Sequence, residues 1–240
     1  MGTRYSNITL QGVSQSELVA YLSDTGLDAY VSPTIDRYTV LYDVASTGYP
    51  EAIPLSIQRE ENLQDLLCQY KDGQKAVAIC LSSHLSKKFS CSVLAVCATS
   101  SLTLWYHLSQ NGLMLDEYLT EADRHWKPGR MLNETGNGTI KGGDAKKICN
   151  AFSKEDAISQ VEIILTQPIE SFDSMTRHTA LAKALSIHPS WVVGMNFLCC
   201  TGEDDFEAHY EANCDESDPT SDEALTLVKG TLPKVGSRLI

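Results

Sequence analysis

The sequence predicts an α+β fold, in which helices pack on one face of a mixed or antiparallel sheet. The first 85 residues carry strand and helix patterns in the order β-α-β-β-α-β, which is typical of ferredoxin-like folds. Residues 102–120, LTLWYHLSQNGLMLDEYLT, place Asn-Gly between two alternating runs, which indicates a hairpin with a type I′ turn. The last third of the chain has apolar residues at helical spacing.

The first strand and helix are marked by their own residues. Ile8 and Leu10 alternate with polar residues, which predicts a short strand. Ser14 and Glu17 have the spacing of a capping box, so a helix should begin between them. Gly26 should end that helix, because glycine readily adopts the left-handed conformation of a helix C-terminus.

The rest of the N-terminal pattern continues this order. AYVSP at 29–33 and YTVLYDV at 38–44 are rich in β-branched and aromatic residues and predict two strands. Leucines across 63–70 predict a helix that Gly73 should close. The apolar run AVAICLSS, 76–83, predicts a buried strand that completes the pattern.

The remaining elements are less regular. CSVLAVCATS, 91–100, is continuously apolar and predicts a strand in the centre of the sheet. Capping residues predict helices after Asp144 and after Ser153, and a third helix runs from about Met175 to Leu185. WVVGMNFLCC, 191–200, predicts a strand, and LTLVKGTLP, 225–233, an edge strand. We expect one domain over 1–200, with a division into 1–85 and 86–200 as the alternative, and an acidic extension over 201–240.

The negative charge is concentrated in one segment. Residues 201–223 contain ten acidic residues and no Lys or Arg, whereas the other 21 acids face 19 bases, a balance of −2. This acidic segment argues against binding to a phosphate backbone, which needs basic residues. The acidic segment has two interpretations: a solvent-exposed, partly disordered loop, or a surface that binds a basic partner. The expected interaction residues are Glu203, Asp204, Asp205, Glu207, Glu211, Asp215, Glu216 and Asp218.

The glycine-rich stretch NETGNGTIKGGDAKKICNAF, 133–152, resembles a phosphate-binding loop only superficially. Lys141 stands where a dinucleotide-binding loop has its third glycine, and no Gly-Lys-Ser/Thr occurs. Asp144 would also repel a phosphate at the helix N-terminus. We therefore interpret the stretch as a flexible loop, in which Gly142 and Gly143 give backbone freedom before Asp144 caps a helix.

No catalytic, cofactor or metal motif is recognisable. The chain lacks Gly-x-Ser-x-Gly and His-Glu-x-x-His, and the cysteines near position 200 lack a Cys-x-x-Cys knuckle. Residues 181–197 resemble a helix-turn-helix, but the second helix would offer almost no base-reading side chains. We therefore predict no cofactor, no metal, no nucleic-acid partner and no membrane partner. The absence of an apolar leader in MGTRYSNITLQG predicts a cytoplasmic location with reduced cysteines.

Arg177 and His178 are the most notable polar pair. They fall at the start of a predicted helix, where the helix dipole disfavours a cation, so we expect an acidic partner such as Asp116 or Glu117. The pair could form a structural contact with such an acid, or it could have a catalytic role. In the second case Trp105, Tyr106, Arg177 and His178 would line a pocket.

A resemblance covers roughly residues 90–200. The hairpin LWYHLSQNG, then GGDAKKICNAF, then RHTALAKALSIHPSWVVGMNF resemble a family of uncharacterised bacterial cytoplasmic domains. In that family a strand beginning Val-Gly continues as Gly-Tyr-Asn-Tyr, whereas this chain has Gly194-Met195-Asn196-Phe197. The resemblance carries no activity, but it implies that Gly142, Gly143, Asp144, Arg177 and His178 form a packed motif.

These observations favour a non-enzymatic cytoplasmic protein that binds another protein through an acidic surface. Inhibitors and immunity proteins present such charge to basic targets, because it speeds and orients association. The alternative is an enzyme or a small-ligand sensor with a site near Arg177, His178 and the Trp105-Tyr106 hairpin.

Overall fold

The computed structural model describes residues 4–47, 49–99, 103–121, 138–169, 172–194 and 226–228. Eight strands form one antiparallel sheet: β1 Arg4–Gln11, β2 Ala29–Val31, β3 Tyr38–Asp43, β4 Ser92–Thr99, β5 Thr103–Gln110, β6 Leu113–Glu121, β7 Thr139–Gly142 and β8 Thr226–Val228. Their order across the sheet is β7-β6-β5-β4-β1-β3-β2-β8. Strands from both halves of the chain therefore lie in one sheet.

The α+β class is confirmed, and so is the ferredoxin-like order of the N-terminal part. Seven helices accompany the sheet in the described residues: α1 Gln15–Thr25, α2 Leu55–Glu60, α3 Leu63–Gln69, α4 Gly73–Phe89, α5 Ala145–Ala151, α6 Ile158–Thr166 and α7 Ser174–Ala184. The strand order β4-β1-β3-β2 is that of a ferredoxin-like unit, and β5, β6 and β7 extend it beyond β4. The capping box of Ser14 with Glu17 begins α1, and Gly26 ends it at φ 78°.

The strand predicted at 76–83 is wrong, because these residues lie within helix α4. Gly73 begins this helix rather than ending the preceding one. Every residue from Ala76 to Ser82 is buried, since α4 packs against β4 and β5 and also against α2 and α3. A helix that is apolar all round has no 3.6-residue period, so its sequence resembles that of a buried strand. Strand β4 completes the unit instead.

Helices cover both faces of the sheet, not one as predicted. Alternate residues of β4 enter two separate cores. Val93, Ala95 and Cys97 pack with α1 and α4, whereas Leu94, Val96 and Ala98 pack with α5, α6 and α7. This arrangement explains the continuous apolar run of β4, because a strand buried on both faces has no polar side.

The second half of the chain confirms several local predictions. Asn111 and Gly112 both have positive φ, as a type I′ turn requires, and join β5 to β6. The Asp144 side chain accepts hydrogen bonds from the backbone of Lys146 and Lys147 and caps α5. The cap predicted at Ser153 is wrong: a 3-10 turn occupies 155–157, and α6 follows with no side-chain cap.

The C-terminal predictions have different outcomes. Trp191 ends a 3-10 turn and residues 192–194 are irregular, so the strand predicted from 191 does not begin there, and 195–200 lie outside the described residues. The predicted edge strand is confirmed, because β8 pairs with β2 at the end of the sheet. Within the described ranges, no helix is both long and apolar enough to cross a membrane.

Candidate functional site

Strand β5 separates the four residues predicted to line a pocket. Successive strand residues point to opposite faces, so Trp105 packs in the core beside α4 while Tyr106 packs in the core beside α5, α6 and α7. Tyr106 stacks on Tyr118, with ring centroids 5.3 Å apart. Trp105 and Tyr106 therefore cannot face one cavity together with Arg177 and His178.

Arg177 is the largest buried cation of the described residues, with 1% of its surface exposed. Its Nη1 donates to the carbonyl oxygen of Ile164, and its Nη2 donates to the carbonyl of Gln167 at 2.7 Å and, at 3.4 Å, to those of Pro168 and Phe172. The carbonyls of Ile164 and Gln167 lie at the C-terminal end of α6, where a helix leaves its last carbonyls without backbone partners and carries partial negative charge. Arg177 is thus a capping cation for a neighbouring helix.

The acidic partners predicted for Arg177 bind other groups instead. Asp116 Oδ2 accepts hydrogen bonds from the Tyr106 hydroxyl at 2.6 Å and from the backbone N–H of Asp144 at 2.8 Å. Glu117 Oε1 accepts from Trp105 Nε1 at 2.6 Å. The prediction of an Arg177–Asp116 or Arg177–Glu117 tie is therefore wrong. Both carboxylates instead hold the β5–β6 hairpin in place.

His178 is buried against the first strand. Its Nδ1 lies 2.9 Å from the Tyr5 hydroxyl, and the two rings stack with centroids 5.8 Å apart. Burial lowers the pKa of His178 to about 3, so the imidazole is neutral at physiological pH. The contact joins α7 to β1 across the core, which is a structural role.

A second buried histidine, His107 on β5, makes the fold sensitive to acid. Burial lowers its pKa to about 4, and neither ring nitrogen has a hydrogen-bond partner among the described residues. Both His107 and His178 bind protons more weakly in the folded chain than in the unfolded chain. Their contribution to stability is therefore full above pH 6.5 and is lost as the pH falls towards 4 and 3.

We expect the free energy of unfolding to fall by about 1.4 kcal/mol per pH unit for each of these imidazoles between pH 6 and pH 4. Urea unfolding at pH 7.0, 5.5 and 4.5 measures this slope. His107→Leu should leave stability at pH 7 nearly unchanged, because the imidazole makes no hydrogen bond there. The same variant should reduce the pH dependence of the free energy of unfolding by about 1.4 kcal/mol per pH unit, the contribution of one imidazole. An unchanged pH dependence would show that the protonation of His107 is not coupled to unfolding.

Gly142 and Gly143 form a packed turn rather than the flexible loop that the sequence suggested. Both have positive φ, and Gly142 ends strand β7, which pairs with β6. A Cβ on Gly142 would overlap the carbonyl oxygen of Glu117, and one on Gly143 would lie 2.6 Å from the Tyr118 ring. The backbone N–H of Gly143 donates to the Glu117 carbonyl at 3.0 Å. The glycines permit the close approach of two backbones, which is a structural function.

The acidic residues predicted for interaction, Glu203 to Asp218, lie outside the described residues. The structure does describe the chain on either side of them. The Asn7 side-chain amide donates to the carbonyls of Trp191 at 3.1 Å and Val193 at 2.9 Å, and Tyr42 also donates to Trp191 at 2.8 Å. The chain is next described at β8, which pairs with β2. The described residues on either side of the acidic segment, 191–193 and 226–228, are therefore both bound to the sheet.

One cluster of possible ligand groups was not predicted from the sequence. Glu60 ends α2, Glu61 follows it, and His84 lies on α4, which packs against α2. His84 Nδ1 lies 3.5 Å from Glu60 Oε2 and 3.5 Å from Glu61 Oε1. In the part of the chain that the structure describes, these three residues form the one group of three or more His, Cys, Asp and Glu side chains that could hold a metal ion.

The wrong assignment of 76–83 concealed this cluster. A strand ending at Ser83 leaves His84 in a loop, whereas helix α4 turns its imidazole towards the end of α2. A helical assignment would have shown that His84 follows the buried Cys80 by one turn and faces the protein. Its approach to Glu60 and Glu61 depends on tertiary packing and has no signal in the sequence.

No family model, curated protein or solved structure matches this chain. The resemblance of residues 90–200 to a bacterial domain family therefore stays a hypothesis.

Proposed function

We propose that this chain is a cytoplasmic protein that acts by binding another protein, and that residues 201–223 provide the binding surface. The observation that carries the proposal is the charge distribution: ten acids without one base in this segment, against a balance of −2 elsewhere. Such a concentration attracts a basic surface over about a Debye length, roughly 8–10 Å at physiological salt. It also repels nucleic acid, so a protein is the preferred partner.

The anchoring of the chain on both sides of this segment supports the proposal. Residues 191–193 are held to β1 and β3 by the hydrogen bonds of Asn7 and Tyr42, and β8 returns the chain to the sheet edge. A chain segment whose flanking residues are bound to a sheet loses less conformational entropy on binding than a free tail does. The sheet and its two helical layers then act as a scaffold that presents the segment.

The alternative function, an enzyme or small-ligand sensor near Arg177 and His178, is the weaker proposal. The guanidinium of Arg177 donates hydrogen bonds to the carbonyls of Ile164 and Gln167, and His178 is hydrogen-bonded to Tyr5. The contacts of these two side chains serve packing, so they do not favour a reacting site.

Neutralising the acidic segment tests the proposal. In the test variant every Asp of 201–223 becomes Asn and every Glu becomes Gln, which keeps length and shape while removing ten charges. We expect the wild-type chain to capture a specific basic protein from a lysate of its source organism at low salt. The neutralised variant should lose it, because the attraction that steers and orients the partner is gone.

A control that removes the same number of charges elsewhere distinguishes the effect of the acidic segment from the effect of the overall net charge. Asp24, Asp65 and Glu162 are exposed acids of the scaffold. Converting these three to amides should leave capture unchanged, whereas converting Asp204, Asp205 and Glu207 should weaken it. Equal capture by the wild-type chain and a well-folded neutralised variant would overturn the proposal.

A further inference from the structure

The cluster of Glu60, Glu61 and His84 contains buried polar atoms that have no hydrogen-bond partner. His84 is only 7% exposed, yet its Nδ1 has no hydrogen-bond partner, and neither has the buried Oε1 of Glu61. A buried polar atom without a partner costs about 1–3 kcal/mol. Here two such atoms face each other, beside a third acceptor, Glu60 Oε2.

The other ring nitrogen of His84, Nε2, already has a hydrogen-bond partner. Its Nε2 contacts the hydroxyl of Tyr21, and the two rings stack with centroids 6.0 Å apart. If Nε2–H donates to this hydroxyl, Nδ1 presents a lone pair to the two carboxylates. Metal-binding histidines have this arrangement, because a second group that holds the far nitrogen fixes the tautomer and the ring orientation.

The distances from His84 Nδ1 fit a cation shared with the two carboxylates, and the three ligand atoms all lie within 4.8 Å of one another. Each His84 Nδ1 to carboxylate oxygen distance is 3.5 Å, longer than a normal N–H···O hydrogen bond of about 2.7–3.2 Å. Two ligands of a tetrahedral zinc ion, each at about 2.0–2.1 Å from the metal, are about 3.4 Å apart. The spacing is therefore too long for direct hydrogen bonds and close to that of ligands around one small ion.

We propose that Glu60 Oε2, Glu61 Oε1 and His84 Nδ1 bind one divalent transition-metal ion, with Zn²⁺ as the best fit. One imidazole and two carboxylates suit Zn²⁺ better than Mg²⁺ or Ca²⁺, which prefer oxygen ligands alone. Three protein ligands leave a fourth position of the tetrahedron open. Glu60, whose side chain is 45% exposed, places that position near the surface.

The groups around the cluster are compatible with this ion. Lys87 Nζ binds the other carboxylate oxygen of Glu60 at 2.8 Å, and so leaves Oε2 directed at His84. Lys88 Nζ lies 5.0 Å from the centre of the Tyr21 ring. The ion would join the corner between α2 and α3 to helix α4, so its binding should stabilise the fold.

The test is a metal titration of the full-length chain after chelation and removal of the chelator. Zn²⁺ binding is measured by calorimetry, and Co²⁺ binding by its visible absorption spectrum. The spectrum is needed because the chain has eight cysteines, which also bind these metals. We expect one Co²⁺ per chain, without the charge-transfer band of a cobalt–thiolate bond, and a rise in melting temperature of a few degrees with Zn²⁺.

Isosteric variants identify the ligands. His84→Asn could fail to fold, so the decisive variants are Glu60→Gln and Glu61→Gln, which remove charge but keep shape. Each should weaken Zn²⁺ binding by about tenfold or more. Asp65→Asn, an exposed acid on the neighbouring helix α3, should leave it unchanged.

Three results would overturn the proposal. One is the absence of Zn²⁺ binding by the wild-type chain at millimolar metal. Another is a cobalt–thiolate band in the wild-type spectrum at one equivalent of metal. The third is wild-type affinity in a folded Glu60→Gln/Glu61→Gln double variant.

Discussion

Replacing Arg177 by Met should lower the free energy of unfolding by about 3–5 kcal/mol, because it removes the donors that the end of helix α6 needs. The guanidinium is 1% exposed and binds the carbonyls of Ile164 and Gln167. Methionine fills much of the same volume but donates nothing, so these carbonyls become buried acceptors without partners. Urea unfolding at pH 7 measures the loss.

Two further substitutions show whether geometry or charge matters. Arg177→Lys keeps the charge but loses the forked set of N–H groups, so its loss should be intermediate. Lys183→Met removes an exposed cation from the last turn of the same helix, α7, and should cost less than about 0.5 kcal/mol. An Arg177→Met variant within about 1 kcal/mol of the wild-type chain would refute the capping role.

Gly142→Ala should be the second strongly destabilising substitution, at about 3 kcal/mol or more. Alanine at φ 66° adopts a left-handed conformation that costs about 1–2 kcal/mol. Its Cβ would also overlap the Glu117 carbonyl oxygen and lie 3.1 Å from the carbonyl carbon, so β7 must move away from β6. Overpacking of this kind adds about 1–3 kcal/mol.

Gly12 provides the matched control. It has a similar φ of 77°, but a Cβ there would meet nothing within 4 Å. Gly12→Ala therefore measures the conformational cost alone, and we expect about 1 kcal/mol. Comparable losses for Gly12→Ala and Gly142→Ala in chemical unfolding would show that the close approach of Gly142 to β6 is unimportant.

Local chemistry made part of the fold predictable. The capping box of Ser14 with Glu17, the Asn111-Gly112 turn and the Asp144 cap each depend on neighbouring residues alone. The ferredoxin-like order was predicted from the strand and helix patterns of the first 85 residues, although its last strand is β4 and not 76–83. The continuous apolar run of β4 also implied cover on both faces of the sheet, although the sequence interpretation placed the helices on one face.

The candidate sites were less predictable, because they depend on tertiary packing. Arg177 finds its partners in backbone carbonyls, which every residue carries and no sequence pattern marks. Trp105 and Tyr106 are neighbours in sequence, but the alternation of a strand sends them to different cores. Glu60 and His84 are 24 positions apart, and only the packing of α4 on α2 brings them together.

The most direct test of the proposed function is the association rate of the captured partner. Stopped-flow mixing at about 50 and 200 mM salt would compare two charge-matched variants, one with Asp204, Asp205 and Glu207 as amides and one with Asp24, Asp65 and Glu162 as amides. If the acidic segment binds the partner, the first variant associates several-fold more slowly at low salt, and the second matches the wild-type chain. Equal association rates for the two variants would contradict the proposal that residues 201–223 form the binding surface.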